Sequence, residues 1–126
     1  MVKTLLDSWA WLEYFRGEPR AQKILEQIQK SEEVLTTAIN IHECGFKILS
    51  AEGSEKAEKH VSFMKEKAKI INIDVKIALL AIELRQKYKL HTSDSLCYAA
   101  ALLNDALFLT GDADFKGLPK VLFIGN

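Results

Sequence analysis

Four acidic residues stand where carboxylates could take part in chemistry, because each lies at the end of a predicted strand or near the start of a predicted helix. They are Asp7, Glu43, Asp94 and Asp112, and Asp114 follows the last of them closely. Carboxylates gathered within about 4 Å repel by about 4 kcal/mol per pair at an effective dielectric constant near 20. A fold that gathers them must therefore protonate some or hold a cation.

The kind of cation follows from the ligand atoms that the sequence offers. Carboxylate oxygens are the ligands that Mg²⁺ and Mn²⁺ prefer, whereas zinc sites are usually built from clustered histidines and cysteines. His42, His60 and His91 show no ligand spacing with Cys44 or Cys97. The sequence therefore predicts a site for Mg²⁺ or Mn²⁺.

Strands and helices must alternate to place these acids together. Short apolar or β-branched runs predict strands over residues 2–6, 34–40, 69–73, 106–110 and 121–124. Apolar residues at helical spacing predict amphipathic helices between the strands. This order indicates right-handed crossovers and one α/β domain over residues 1–126, with a five-stranded parallel sheet flanked by helices. In such sheets ligands bind at the carboxyl ends of the strands, where the acids are expected.

Composition limits the possible partners and location. The chain is 48% hydrophobic and 27% charged, which is typical of a globular domain. Seventeen basic residues balance seventeen acidic ones, so any attraction for nucleic acid must be local. No apolar stretch approaches the roughly 20 residues of a membrane span. Cys44 and Cys97 form no CxxC motif and no signal peptide is evident, so we expect reduced thiols and a cytoplasmic location.

Each acid also has a purely structural interpretation. Asp7 and Asp94 could cap helices, Asp112 and Asp114 could be turn formers, and Glu43 could be a solvated helix residue. Taken singly, these interpretations compete evenly with a functional one or are favoured over it. The expected co-location of the acids favours the functional interpretation.

The segments around the acids resemble the PIN-domain ribonucleases, and within them the VapC-like toxins of prokaryotic toxin–antitoxin pairs. LLDSWAWLEYF resembles the opening strand with the first acid, and INIHECGFKIL resembles the helix with the second. TSDSLCYAAALLN is similar to the third-acid helix, and LFLTGDADF to the closing strand with the fourth acid. The last two motifs are the most specific, and the resemblance covers the whole chain.

The resemblance implies an endoribonuclease that cleaves single-stranded RNA with water activated by Mg²⁺ or Mn²⁺. Its catalytic residues would be Asp7, Glu43, Asp94 and Asp112. The metal ligands would be Asp7, Asp94, Asp112 and Asp114. Ser8 and Thr110 match positions that orient acids or water by hydrogen bonding. The resemblance also implies an antitoxin partner that binds near the active site, and a homodimer.

An acidic site must recruit RNA through nearby basic residues. The candidates are Arg16, Arg20 and Lys116, which are close in sequence to the acids, whereas Glu13 is expected to be ordinary surface charge. Two other classes of protein share some of these features. A receiver-type phosphorylation domain needs an acidic pair after the first strand, which is absent after Asp7. A non-catalytic PIN-like binding module is the remaining alternative.

Overall fold

The computed structural model describes residues 2–17 and 19–125, in which strands and helices alternate. The strands are β1 (Val2–Leu6), β2 (Ser31–Thr37), β3 (Lys69–Ile71), β4 (Ala106–Thr110) and β5 (Val121–Phe123). The helices are α1 (Ser8–Arg16), α2 (Pro19–Lys30), α3 (Ala38–Glu52), α4 (Ser54–Lys67), α5 (Val75–Tyr88) and α6 (Thr92–Leu103). A 3-10 turn, Ala113–Phe115, lies between β4 and β5. None of these helices is long and apolar enough to cross a bilayer.

The five strands form one sheet in the order β3-β2-β1-β4-β5, and every neighbouring pair is parallel. This confirms the predicted α/β fold with a five-stranded parallel sheet. The chain builds the sheet outward from β1 to β3 and then returns to the other side of β1 with β4. A crevice therefore opens at the carboxyl ends of β1 and β4, where the connections diverge to opposite sides.

Three strands have bounds that differ from the prediction, and β2 also begins at Ser31, three residues before the predicted Val34. Strand β2 ends at Thr37 and α3 begins at Ala38, so the predicted strand over 34–40 was wrong in its last three residues. The cause is a capping box, in which Thr37 Oγ1 accepts from the backbone N–H of Asn40 at 3.1 Å and Asn40 Oδ1 accepts from the N–H of Thr37 at 3.0 Å. Strands β3 and β5 end earlier than predicted because Ile71 and Phe123 lie opposite the last residues of β2 and β4.

Both faces of the sheet are buried, so adjacent residues of the central strands enter different cores. Leu5 and Phe108 belong to the core beneath α5 and α6, whereas Leu6 and Leu109 belong to the core beneath α1, α2 and α4. This alternation follows from the two-residue period of a strand. Helix α6 lies close to the sheet because Ala99–Ala101 are fully buried small residues. The helix that carries Asp94 is thereby fixed against β4.

Candidate active site

A cavity of about 390 Å³ lies at the carboxyl edge of the sheet, and we call it the acid cavity. Helix α1 forms one wall, and the acids come from four other parts of the fold: the end of β1, helix α3, helix α6 and the segment after β4. Each part contributes one of the acids singled out from the sequence, and these are Asp7, Glu43, Asp94 and Asp112. The structure therefore brings these four acids to one place.

Three carboxylates approach closely enough to share a cation. Asp94, Asp112 and Asp114 each offer an oxygen that lies within 4.8 Å of the other two. Asp112 and Asp114 are held together by the 3-10 turn, because Asp112 Oδ1 accepts from the backbone N–H of Asp114 at 3.0 Å. An all-oxygen set of this kind fits Mg²⁺ or Mn²⁺. Asp7, which the resemblance also assigned as a ligand, does not join this group of three.

Asp7 is buried at the junction between β1 and α1, with 8% of its surface exposed. Its Oδ1 caps α1 by accepting from the N–H of Ala10 at 2.9 Å, and its Oδ2 accepts from Thr110 Oγ1 at 2.6 Å. The Thr110 hydroxyl also accepts from the backbone N–H of Asp112 at 3.0 Å. The capping interpretation of Asp7 is thus correct, and the same side chain lines the acid cavity.

Glu43 is oriented by a chain of polar side chains. Ser8 Oγ donates to Glu43 Oε1 at 2.6 Å and accepts from Asn40 Nδ2 at 3.0 Å. Asn40 is buried, and the capping box with Thr37 fixes its amide. Sequence reasoning assigned Ser8 an orienting role but missed Asn40. The T-x-x-N spacing of Thr37 and Asn40 is the signal that could have found it.

The pKa values of two acids are raised. Burial raises the pKa of Asp7 to about 7, with smaller contributions from Asp94 and Asp112, against the hydrogen bonds from Thr110 and Ala10 that lower it. Burial also raises the pKa of Asp94 to about 6, and the nearby charges of Asp112, Glu43 and Asp114 act in the same direction. The site therefore favours whatever neutralises it, whether protons or a cation.

The basic residues around the acid cavity differ from the sequence-based list. Of the three candidates, only Arg16 lines the cavity, where Lys47 joins it. Arg20 lies 4.0 Å from Glu13 and 5.7 Å from the centre of the Trp9 ring. Lys116 lies over the ring of Phe123 and lines neither the acid cavity nor the depression that contains Arg16 and Arg20.

Glu13 is not the surface charge that was expected. Only 7% of its surface is exposed, and its Oε1 accepts from Arg16 at 3.0 Å. Arg20 approaches its Oε2 at 4.0 Å. A buried carboxylate needs partners: Arg16 donates to Oε1, whereas Arg20 offers Oε2 only a nearby charge, and within the described residues Oε2 has no hydrogen-bond partner. Glu13 therefore holds Arg16 beside the cavity.

Comparison with known proteins gives one family match. The profile described as PIN domain matches residues 4–121 of the chain. No curated protein sequence matches significantly.

Several solved structures share the fold. A toxin-antitoxin complex from Klebsiella pneumoniae is similar at 27% sequence identity and a TM-score of 0.79, covering 94% of this chain and 95% of that chain. VapBC-1 from nontypeable Haemophilus influenzae is 14% identical with a TM-score of 0.79, covering 98% of each chain. The sarcin-ricin loop cleaving toxin VapC20 from Mycobacterium tuberculosis is 14% identical with a TM-score of 0.74, covering 94% of this chain and 98% of that chain.

The raised pKa values predict how stability depends on pH without metal. In the folded protein the pKa values of Asp7 and Asp94 lie above the ordinary value of 3.8, so both groups bind protons more tightly when the chain is folded. Proton binding therefore stabilises the folded state, and this stabilisation is fully present below pH 3.8. It is lost as pH rises through about 6 to 7. Urea unfolding in EDTA should show this loss, and Asp7→Asn or Asp94→Asn should flatten the profile. Glu58→Gln, at an exposed position, should leave it unchanged. Equal pH profiles for all four proteins would contradict the assignment.

Proposed function

This chain belongs to the PIN domain family, and from that premise we propose that it is a divalent-metal-dependent endoribonuclease that cleaves single-stranded RNA. The observation that carries the proposal is the meeting of Asp94, Asp112 and Asp114 at the edge of the acid cavity. Asp7 and Glu43 line the same cavity. We propose that the protein is the toxin of a toxin–antitoxin pair and acts in the cytoplasm.

The residues divide the chemistry among them. Asp94, Asp112 and Asp114 would hold Mg²⁺ or Mn²⁺. Such a cation, when bound, acidifies water to give a nucleophile near neutral pH and offsets charge on the phosphate. Glu43 is fixed through Oε1 by Ser8, which leaves its second oxygen to accept a proton from the attacking water.

Asp7 has a different part from the three acids of the cluster. Both of its oxygens accept hydrogen bonds, so the carboxyl group is held in place beside Asp94 and Asp112 and is negatively charged once a bound cation offsets its raised pKa. From there it adds to the attraction for a cation without moving. Thr110 couples it to the loop that carries Asp112. We propose that Asp7 acts as a fixed charge and as an outer partner of the metal site.

Arg16 and Lys47 are proposed to receive the RNA backbone, because both line the cavity in which the acids lie. Arg20 would extend this basic edge, since Glu13 draws it toward Arg16. Lys116, which lies over the Phe123 ring, is proposed to contact the RNA outside the acid cavity. The balanced net charge of the whole chain makes this local placement necessary.

An antitoxin is proposed as the protein partner, in keeping with the complexes to which the chain is similar. A second depression adjoins the acid cavity and shares Leu12, Arg16 and Lys47 with it. Its floor includes Phe15 and Ile48. The apolar residues and the basic residues of this depression are complementary to a partner segment that carries both apolar and acidic side chains. A partner bound there would obstruct the approach of RNA.

A homodimer is proposed through the exposed face of α5. Val75, Leu79 and Ile82 recur at helical spacing and are 74%, 59% and 64% exposed. Antiparallel pairing about a two-fold axis beside Leu79 would set Val75 against Ile82 of the partner subunit. The same operation would set Lys76 against Glu83 of the partner subunit. The face is therefore self-complementary, because apolar residues meet apolar residues and a lysine meets a glutamate, as an isologous interface requires.

Metal binding should depend on Asp94. Mn²⁺ is expected to raise the melting temperature of the wild-type protein, because an ion that binds only the folded state stabilises it. Asp94→Asn should abolish this rise while raising the melting temperature of the metal-free protein, since a repelling charge is removed. Thermal unfolding with and without Mn²⁺ measures both. An undiminished Mn²⁺ response in the mutant would remove Asp94 from the metal site.

RNA cleavage should depend on the acids as one unit. Asp7→Asn, Asp94→Asn and Asp112→Asn should each slow Mn²⁺-dependent cleavage of RNA by at least about 100-fold, because positioning and electrostatic stabilisation fail together. Double mutants should be little worse. Asp114→Asn should have a milder effect, since Asp114 is exposed.

Incubation with total cellular RNA, followed by mapping of the new ends, measures the rate and the target together. Glu58→Gln, an exposed position, is the matched control and should cleave like the wild type. The protein must be free of bound antitoxin. Cleavage by the wild type no faster than by Asp7→Asn would reject the nuclease and favour a non-catalytic PIN-like binding module.

Dimerisation should depend on charge pairing across α5. Lys76→Glu should weaken the dimer by placing two acids together, and Lys76→Glu combined with Glu83→Lys should restore it. Leu79→Asp should give a monomer because it buries a charge at the centre of the interface. Analytical ultracentrifugation measures the dissociation constants. A wild-type protein that stays monomeric at every concentration, or a charge swap that restores nothing, would reject this face.

A further inference from the structure

Gly111, between Thr110 and Asp112, has no room for a side chain. A Cβ built there would lie 2.2 Å from both Cη2 and Cζ2 of Trp9, and 2.5 Å from its Cε2. The backbone of Gly111 is not in the left-handed region, so conformation does not demand glycine. The requirement is steric: the six-membered ring of the Trp9 indole occupies the place of the side chain.

The same segment is confined from a second direction. A Cβ built on Gly125 would lie 2.4 Å from the carbonyl oxygen of Gly111. The N–H of Ile124 donates to the carbonyl of Thr110 at 2.9 Å. The backbone at Thr110 and Gly111 is therefore held between the Trp9 ring and the segment that follows β5.

Trp9 is held in turn by neighbouring side chains. Arg20 lies over its ring with 5.7 Å between the guanidinium carbon and the ring centre. Arg20 is drawn toward the buried Glu13. Trp9 itself belongs to the first turns of α1, whose N-terminus Asp7 caps. The orientation of the Trp9 indole is thus fixed by its neighbours.

We infer that Trp9 is a positioning residue for the acids of the metal cluster, acting through Gly111. Asp112 follows Gly111 directly, and Asp112 in turn places Asp114 through the hydrogen bond within the 3-10 turn. A shift of the Gly111 backbone would therefore carry two of the three clustered carboxylates away from Asp94. Loss of an outer residue that orients metal ligands typically lowers metal affinity by about 10- to 100-fold. The inference rests on the proposed metal site.

The test is Gly111→Ala, which forces either the indole or the acidic loop to move. Mn²⁺ affinity, measured by calorimetry, should fall by at least about tenfold, as expected when an outer orienting contact is lost. Tryptophan emission should shift to the red without metal, because Trp9 is pushed toward water while Trp11 stays fully buried. Far-ultraviolet circular dichroism should remain that of the folded protein.

A compensating substitution separates the clash from general damage. Phenylalanine is shorter than tryptophan and lacks the outer ring that meets the new methyl group. Trp9→Phe with Gly111→Ala should therefore regain Mn²⁺ affinity to within about threefold of Trp9→Phe alone, a coupling expected only for residues in direct contact. Gly45→Ala is the matched control, since its Cβ would meet only Val61 Cγ2 at 3.2 Å. It should change neither emission nor affinity.

The outcomes distinguish the inference from the proposed function. If the wild type binds Mn²⁺ and Gly111→Ala binds it equally well, Trp9 does not position the cluster. If Gly111→Ala weakens Mn²⁺ binding as much in the Trp9→Phe background as in the wild type, the contact with Trp9 is not the cause of the loss. An unshifted tryptophan emission in Gly111→Ala would overturn the contact itself. A wild type that binds no Mn²⁺ would instead reject the metal site on which the inference rests.

Discussion

The hydrogen bond from Thr110 to the buried Asp7 carboxylate is the interaction on which the site depends. It joins the carboxyl ends of β1 and β4, the two central strands at which the connections diverge. The same hydroxyl accepts from the N–H of Asp112, so one threonine fixes an acid on each strand exit. Without this hydrogen bond, Oδ2 of the buried Asp7 carboxylate would lose the donor that Thr110 supplies. The acid cavity is thus built around a carboxylate that the fold itself requires.

The fold could be predicted from the sequence because its signals are local. Alternating apolar strands and amphipathic helices determine the layers, and parallel crossovers then determine the edge at which ligands collect. The error at the end of β2 has a different origin. Val34, Thr36 and Thr37 are β-branched, which suggests a continuing strand. The side chains of Thr37 and Asn40, however, each accept a hydrogen bond from the other residue's backbone N–H, and these bonds start a helix. Side-chain capping overrides strand propensity there, and composition alone does not show it.

The site was predictable in its acids and less so in their supports. Asp7, Glu43, Asp94 and Asp112 could be grouped because each lies near the end of a strand or the start of a helix, and such boundaries can be predicted from a sequence. The surroundings of Glu13 could not be foreseen, because one of the two arginines beside it, Arg20, comes from another helix. The contact of Trp9 with Gly111 joins residues about a hundred positions apart. Pairings of that kind arise only when the sheet is assembled.

The two halves of the acid cavity are stabilised in different ways, and this bears on how it can act. Asp7 and Glu43 are oriented by hydroxyl groups that are themselves anchored, so their positions do not depend on a cation. Asp112 and Asp114 lie on a short turn after β4, where Asp114 is exposed and repels its neighbours. A cation would relieve that repulsion and complete the constraint that Trp9 and Thr110 begin. Because the first half is preorganised, the binding free energy of a cation would be available to order the second half, which carries two of the three clustered carboxylates.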